Sequence, residues 1–322
     1  MVGSASPLCR FSWLTLSNFV ALPNEISLLS EGVFALVSPV GASLTNLSVA
    51  GHTIIEHVSA QAAKQSFAAA TLAPWPNRLR DGQWVFQGQS FQFANLDDDS
   101  NANHGLVFDR KFSVVRQTSD FVEFSIELGD DAGYPFRVQL AVSYQLVAGG
   151  VDVNVSATNV GDKLAPMAFG SHPYIAIDVA STIHINALTQ MVNDGRQIPV
   201  GREIATKNFD ANGGQLNFDG LKLDDCFADL VRDENGNATT TVVRSSGDKI
   251  EIWQDSSFRY LMVYAHHQLS SQGMQSEGIA IEPQTAPANA LQSGEDLFML
   301  EPGQQRSARW GVMFKPIRSE ND

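Results

Sequence analysis

The feature that most constrains this chain is a two-residue alternation of apolar and polar side chains that recurs along most of its length. In GVDVNVSATNV (150–160), every second residue from Val151 to Ala157 is apolar and the residues between them are polar. Successive side chains of a β-strand point to opposite faces, so this pattern predicts a strand that is buried on one face only.

Similar short runs are rich in β-branched and aromatic residues and are separated by Gly, Asn and Asp. They read VFALVSP, WVFQGQSFQF, FVEFSIEL, RVQLAVSYQL, TIHINAL, TTTVVRS, KIEIWQD, RYLMVYAH, GIAIEP and RWGVMF. Many short strands at this spacing predict an all-β chain folded as a large antiparallel β-sandwich. The one helix-like segment is SAQAAKQSFAAATL (59–72), expected to be a short surface helix or an ordered loop. No alternation of strands and helices suggests a parallel sheet.

The length of 322 residues allows one large all-β domain or two ordinary ones. No repeat, low-complexity tract or linker divides the chain, so we predict a single domain over residues 26–322, preceded by a peripheral or disordered leader over residues 1–25. That leader has one Arg before a mildly apolar stretch, and no clear cleavage site follows. Cys9 and Cys226 are the only cysteines and form neither a disulfide framework nor a zinc motif. These features predict a cytoplasmic protein.

The charge balance narrows the choice of partners. Lys and Arg number 21 against 35 Asp and Glu, a formal net charge of −14, which repels phosphate backbones and anionic lipid surfaces. No apolar run approaches the roughly 18 residues of a membrane-spanning helix. We therefore expect the protein to bind a small molecule and to bind neither nucleic acid nor a membrane. We expect it to be a monomer or a homodimer.

Polar residues interrupt the alternation at two neighbouring places in the first third of the chain. In APWPNRLRDG (73–82), two prolines stiffen the backbone before Asn77 and Arg78, and a guanidinium can form forked hydrogen bonds to oxygen acceptors. In NANHGL (101–106), His104 precedes a glycine that permits close backbone approach. Alone, Arg78 is equally typical of a surface ion pair and His104 of a structural turn.

Three further segments place ionisable groups at the predicted ends of strands. FGSHPYI (169–175) holds His172 before a proline, LDDCF (223–227) begins a strand with two carboxylates, and GIAIEPQTAPANA (278–290) has a short apolar strand, Ile279–Ile281, that delivers Glu282 to a proline-rich turn. Each pattern also occurs in ordinary solvent-exposed turns.

Together and in this order, Asn-Arg, Asn-x-x-His-Gly, His-Pro-Tyr, Leu-Asp-Asp-x-Phe and Glu-Pro-Gln resemble the aldose 1-epimerase (galactose mutarotase) family. The resemblance runs from the strand around Phe34 to the Glu282 segment. It implies the family's large β-sandwich (the galactose mutarotase-like supersandwich), with a sugar site in an open cleft across the sheet. It also implies that Arg78, His104 and Asp224 bind the sugar, that His172 is the general acid, and that Glu282 is the general base.

Two residues depart from the family's pattern. Asn103 stands where a hydrophobic residue is common before His-Gly, and Asp225 stands where many members carry His. The chain looks closer to a bacterial branch with a PWPNR motif than to the galactose enzymes, so the resemblance does not name the substrate.

Interconverting the two anomers of a free sugar requires a proton to reach the ring oxygen while another leaves the anomeric hydroxyl, and a positioned acid and base suffice. A free His titrates near 6.5 and a free Glu near 4.3. We expect the Glu282 carboxylate to raise the pKa of His172 and thereby favour its imidazolium form. Neither a metal nor an organic cofactor is required.

The remaining site residues would hold the sugar. His104 would donate a hydrogen bond to the same ring or carbonyl oxygen and is thus a third catalytic candidate. Asn77 would join Arg78 and Asp224 in binding hydroxyls. Trp75 or Tyr174 would lie against an apolar sugar face, although either residue could equally belong to the core.

Three alternatives remain open at this point. Two His and one carboxylate also form the ligand set of non-haem iron sites, although no His-x-His pair occurs here. A sugar-binding or regulatory protein could keep the cleft without catalysis. Finally, Arg78, Arg80, Arg110 and Lys111 could attract the phosphate or sulfonate of an anionic sugar such as a hexose 6-phosphate, whereas the net charge and the acidic run LDDD (96–99) favour neutral aldohexoses.

Overall fold

A computed structural model describes residues 25–57, 66–205, 215–271 and 274–317, with side chains described outside 267–277. Two large antiparallel sheets dominate the described chain, which confirms the predicted all-β sandwich. The predicted leader, residues 1–25, lies outside the described residues except for Glu25.

The larger sheet has twelve strands, and its main path runs β1-β2-β3-β4-β16-β25-β24-β21-β18-β19, with β15 and β5 attached beside β25. The strands are β1 (Ile26–Ser30), β2 (Val33–Ser38), β3 (Ser43–Val49), β4 (His52–Ile55), β5 (Thr71–Leu72), β15 (Gly170–Ser171), β16 (Tyr174–Ala176), β18 (Ala187–Asn193), β19 (Pro199–Ile204), β21 (Asp224–Leu230), β24 (Tyr260–Ser271) and β25 (Met274–Gln284).

The second sheet has nine strands in the order β10-β11-β12-β13-β27-β23-β22-β17-β20. They are β10 (Ser113–Gln117), β11 (Phe121–Leu128), β12 (Val138–Val147), β13 (Gly150–Asn159), β17 (Thr182–His184), β20 (Gln215–Asn217), β22 (Ala238–Val243), β23 (Lys249–Gln254) and β27 (Gln305–Lys315).

Three two-stranded ribbons and one short helix complete the described elements. The ribbons pair β6 (Arg78–Arg80) with β9 (Asn101–Asn103), β7 (Gln83–Phe86) with β8 (Gln89–Gln92), and β14 (Ala165–Met167) with β26 (Phe298–Leu300); the helix is α1 (Ala290–Ser293). Every segment in which the sequence predicted a strand contains one.

The hydrophobic core lies between the two large sheets and follows the alternation. In β13, Val151, Val153, Val155 and Ala157 are fully buried in it, as their spacing predicts. The larger sheet contributes the odd-numbered positions of β25, such as Ile281. The even-numbered positions of β25, including Glu282, therefore project from the opposite face of that sheet.

Two predicted elements differ from the structure. Residues 59–65 of the helix-like segment lie outside the described residues, and its last two residues form strand β5 rather than helix or loop. The predicted strand Ile279–Ile281 is only part of β25, which runs through Glu282 and Pro283 to Gln284. Glu282 is therefore held inside a strand paired with Met262 of β24, and the turn begins only after Gln284.

Over the described ranges, the helices are all too short or too polar to cross a lipid bilayer.

Candidate active site

The register of the larger sheet brings His172 and Glu282 together. Strands β15 and β16 both pair with β25, through Gly170 with Gln284 and through Tyr174 with Ala280. Along the chain, residue 172 is midway between Gly170 and Tyr174, and residue 282 is midway between Ala280 and Gln284. The register therefore places residues 172 and 282 opposite each other. The His172 Nε2 atom lies 3.2 Å from Glu282 Oε1.

Both members of this pair are buried, with side chains only 6% and 2% exposed. Burial disfavours a charge on either group. It lowers the pKa of His172 to about 4, against a smaller opposing effect of the residue's own backbone. It raises the pKa of Glu282 well above its usual range, although a hydrogen bond from Gln284 Nε2 to Oε2 (3.0 Å) opposes the shift.

The expectation of a raised pKa for His172 is therefore wrong in direction, because the loss of hydration on burial outweighs the attraction of a carboxylate. The two pKa shifts each favour the neutral form of the group concerned.

Two hydrogen bonds with the backbone of Asn77 fix His104 beside this pair. The N–H of Asn77 donates to His104 Nδ1 (3.2 Å), and the N–H of His104 donates to the Asn77 carbonyl (3.0 Å). Both residues have a left-handed backbone, with φ of 58°. Since Nδ1 accepts a hydrogen bond, the neutral His104 ring carries its proton on Nε2. Burial, then the nearby His172, lowers the pKa of His104 and favours that neutral form.

The His104 ring meets the His172 ring at a centroid distance of 5.3 Å, edge to face. The two predicted histidines thus belong to one site, although His104 follows strand β9 of the ribbon and His172 lies between strands β15 and β16 of the large sheet.

Arg78 and Asp224 stand at the rim of the same site. Arg78 Nη2 lies 3.5 Å from Asp224 Oδ2, and both side chains are partly exposed, at 23% and 31%. Burial raises the pKa of Asp224, and the charge of Arg78 opposes the shift. Asn77 Oδ1 accepts the backbone N–H of Arg78 at 2.7 Å, so the Asn77 amide shapes the turn that presents Arg78.

The two predicted aromatic residues differ in position. Trp75 is 2% exposed and packs in the core against Phe93, at a centroid distance of 4.4 Å. The prediction that Trp75 lies against a sugar is corrected, because its ring is enclosed by core side chains. Tyr174 is also buried, yet its ring lies 5.1 Å from that of His172, on the face of the sheet that carries Glu282.

Three further residues contact or influence this group and were not predicted. Gln284 binds Glu282, and strand alternation could have placed it on the same face. The ring centroid of Phe67 lies 4.4 Å from that of His104, and the backbone of Phe67 is left-handed, with φ of 55°. No sequence signal indicates this position. His266 lies 5.8 Å from the Tyr174 ring and contributes to lowering the pKa of His172.

The two residues that depart from the family's pattern, Asn103 and Asp225, lie in different strands. Asn103 pairs with Arg78 across the ribbon, and among the described residues its buried Oδ1 has no hydrogen-bond partner. Asp225 follows Asp224 in β21, and burial raises its pKa.

Within the described chain, no three His, Cys, Asp or Glu side chains are grouped so that they could hold a metal ion.

Known proteins are similar to this chain in sequence or in fold over most of its length. YihR of Escherichia coli strain K12, an uncharacterized protein, is 27% identical over 314 residues, which is 92% of this chain and 95% of YihR. The crystal structure of a galactose mutarotase-like protein from Clostridium acetobutylicum superposes with a TM-score of 0.78 at 19% identity, covering 91% of this chain and 95% of that one. Galactose 1-epimerase from Lactobacillus acidophilus NCFM gives a TM-score of 0.74 at 20% identity, covering 90% and 94%.

The two structures share the fold with this chain and, at such low identity, nothing finer. The model of the aldose 1-epimerase family covers residues 25–312, a span that contains every residue of the site and both large sheets except for the last three residues of β27. By this match the chain belongs to the aldose 1-epimerase family.

Proposed function

We propose that this protein is an aldose 1-epimerase, or mutarotase, which interconverts the α and β anomers of free, neutral aldohexoses. The observation that carries the proposal is the buried contact between His172 Nε2 and Glu282 Oε1 at 3.2 Å, with His104 beside it. Such a pair provides an acid and a base within reach of one sugar.

Since burial favours the neutral form of both groups, the proposed first step moves a proton from Glu282 onto Nε2 of His172. The Glu282 carboxylate then takes the proton of the anomeric hydroxyl, while His172 gives its proton to the ring oxygen. The bond between C1 and the ring oxygen breaks as the aldehyde forms.

After rotation about the C1–C2 bond, the reverse transfers close the ring on the other face of the aldehyde, and both groups return to their starting forms. Nε2–H of His104 donates to the oxygen that gains charge, and Arg78 with Asp224 binds ring hydroxyls. No oxidant, reductant or metal is needed to balance the reaction.

Charge pairing supports a neutral substrate rather than an anionic one. Arg78 is paired with Asp224, Arg80 with Asp194, and Arg110 with Asp131. These carboxylates offset the positive charge that a phosphate or sulfonate would need.

A mutarotation assay decides between catalysis and sugar binding alone. Polarimetry or NMR saturation transfer should detect faster anomer exchange for at least one free aldohexose than in buffer. Sugar binding without any acceleration would favour the non-catalytic alternative.

We also propose that the protein works in the cytoplasm, which the free, buried thiol of Cys226 supports. That the chain belongs to a bacterial branch of the family with a PWPNR motif stays a prediction. That it is a monomer or a homodimer also stays a prediction.

A further inference from the structure

The proline-rich turn that follows strand β25 joins the large sheet to the ribbon β6–β9. At its start, the N–H of Thr285 donates to the Phe169 carbonyl (2.9 Å), and the N–H of Phe169 donates to Thr285 Oγ1 (3.0 Å). At its end, Asn289 bonds the strand that carries Arg78. The turn therefore connects the backbone that leads to His172 with the backbone of Arg78.

Asn289 occupies the free edge of that ribbon. Its backbone N–H donates to the Arg78 carbonyl (2.6 Å), and its side-chain Oδ1 accepts the N–H of Arg80 (3.1 Å). On the other edge, the N–H of His104 donates to the Asn77 carbonyl. Successive backbone groups of a strand alternate between its two edges. Asn289 thus supplies two bonds that a third strand would otherwise provide.

The backbone of Asn289 and the short helix after it suit this role. Its φ of 65° is left-handed, a conformation in which Asn is several-fold enriched. Asn289 precedes helix α1, yet its side chain makes no capping bond to that helix, which leaves Oδ1 for Arg80. Gln292 of α1 adds a second attachment, because its Nε2 donates to the carbonyls of Arg80 (2.9 Å) and Gln83 (2.6 Å).

These bonds fix Arg78 rather than the proton-transfer pair. Asn289 holds the backbone of Arg78, whose guanidinium lies 3.5 Å from Asp224 Oδ2 and is partly exposed at the rim of the site. Glu282 and His172 are held instead by the pairing of β25 with β15 and β16. Loss of the Asn289 side chain would therefore loosen a sugar-binding group and leave the acid and the base in place.

We propose that Asn289 is a positioning residue for sugar binding, which holds the Arg78 guanidinium where it binds hydroxyls of the sugar. This proposal rests on the proposed function and names a residue that orders the sugar site before the sugar arrives. An arginine that is already ordered loses little rotamer freedom on binding, and affinity rises accordingly.

The test measures KM and kcat in Asn289→Gly, for the aldohexose that the wild type turns over fastest. Glycine keeps the left-handed backbone and removes the amide. We expect KM to rise by about two- to tenfold, the affinity lost when one flexible side chain has to be ordered on binding. The value of kcat should change by less than about twofold, as expected when only uniform binding is lost.

Two further variants separate the side chain from the backbone. Asn289→Asp keeps an Oδ1 acceptor for the N–H of Arg80 and should restore KM to within about twofold of the wild type. Gln87→Gly replaces another left-handed residue, with φ of 49°, in the exposed turn between β7 and β8. It is the matched control and should equal the wild type in both constants.

The Arg78→Ala background decides whether Asn289 acts through Arg78. If it does, adding Asn289→Gly to that background should raise KM by less than about twofold, because effects that share one partner are not additive. Independent, multiplying effects on KM would overturn the positioning role. So would an unchanged KM in Asn289→Gly, a loss of kcat as large as that of Glu282→Gln, or a failure of Asn289→Asp to restore KM.

Thermal unfolding checks that each variant is folded; if Asn289→Gly is not, Gln292→Ala takes its place with the same expected rise in KM. If the wild type turns over no aldohexose, the proposed function fails instead. Crystal structures of the wild type and Asn289→Gly then test the positioning by itself. An Arg78 guanidinium that leaves Asp224 in the variant upholds it, and an unchanged contact refutes it.

Discussion

The variant Glu282→Gln separates the catalytic role of the buried carboxyl from its effect on stability. Gln is nearly isosteric with protonated Glu and keeps both contacts: its amide N–H can donate to His172 Nε2 and its carbonyl can accept from Gln284. It cannot take up or release the catalytic proton. We expect kcat to fall by about 10² to 10⁴, the usual contribution of a positioned acid or base.

The same substitution should stabilise the protein at higher pH. Since the folded-state pKa of Glu282 is raised, the folded protein keeps a proton that the unfolded chain releases above pH of about 4.3. The contribution of Glu282 to wild-type stability therefore falls as pH rises from that value towards the folded pKa. The variant lacks this loss, so its advantage in free energy of unfolding should grow by about 1.4 kcal/mol per pH unit across the window.

Polarimetry gives kcat, and urea unfolding at pH 5, 7 and 9 gives the stability difference. Glu123→Gln, in β11 of the other sheet, is the matched control and should retain wild-type activity. Near-normal turnover in Glu282→Gln would refute its role as the base. A stability difference that stays constant with pH would refute the buried, protonated carboxyl.

His172→Asn should lower kcat by at least about 10² while leaving the fold intact. It should also remove this ring's own contribution to stability, which grows between pH of about 4 and 6.5 and opposes that of Glu282, because the unfolded chain protonates the ring at a higher pH than the folded protein does. A variant with wild-type turnover would remove His172 from the mechanism. Activity should survive exhaustive chelation with EDTA, since proton transfer needs no Lewis acid; loss that one divalent ion restores would revive the metal alternative. Glucose should have a higher kcat/KM than glucose 6-phosphate, by a ratio that shrinks with added salt as repulsion is screened. A preference for the phosphate that fades with salt would contradict a neutral substrate.

Local pattern was sufficient to predict the fold. Alternation in segments such as 150–160 fixed which side chains are buried, because a strand has only two faces. The same rule places Gln284 on the face of β25 that carries Glu282. The proximity of His104, His172 and Glu282 depends on strands far apart in the sequence and came from the family resemblance.

Burial and tertiary enclosure were the properties that the sequence could not supply. The pKa shifts of His172 and Glu282 follow from their desolvation, which depends on neighbours such as Phe67 and Tyr174. Trp75 lies between two prolines, a pattern typical of an exposed turn, yet core side chains enclose its ring.

The register that opposes His172 and Glu282 makes the chemistry far harder to alter than the choice of sugar. A one-residue slip of β25 would turn Glu282 into the core between the sheets and expose Ile281 in its place. Arg78, by contrast, belongs to a two-stranded ribbon joined to the sheet by ion pairs such as that of Arg80 with Asp194. Under the proposed function, an insertion in that ribbon would change the binding of the sugar while the contact of His172 with Glu282 stays in place. Related chains with this fold can thus differ in the sugar that they bind and still keep the same proposed reaction.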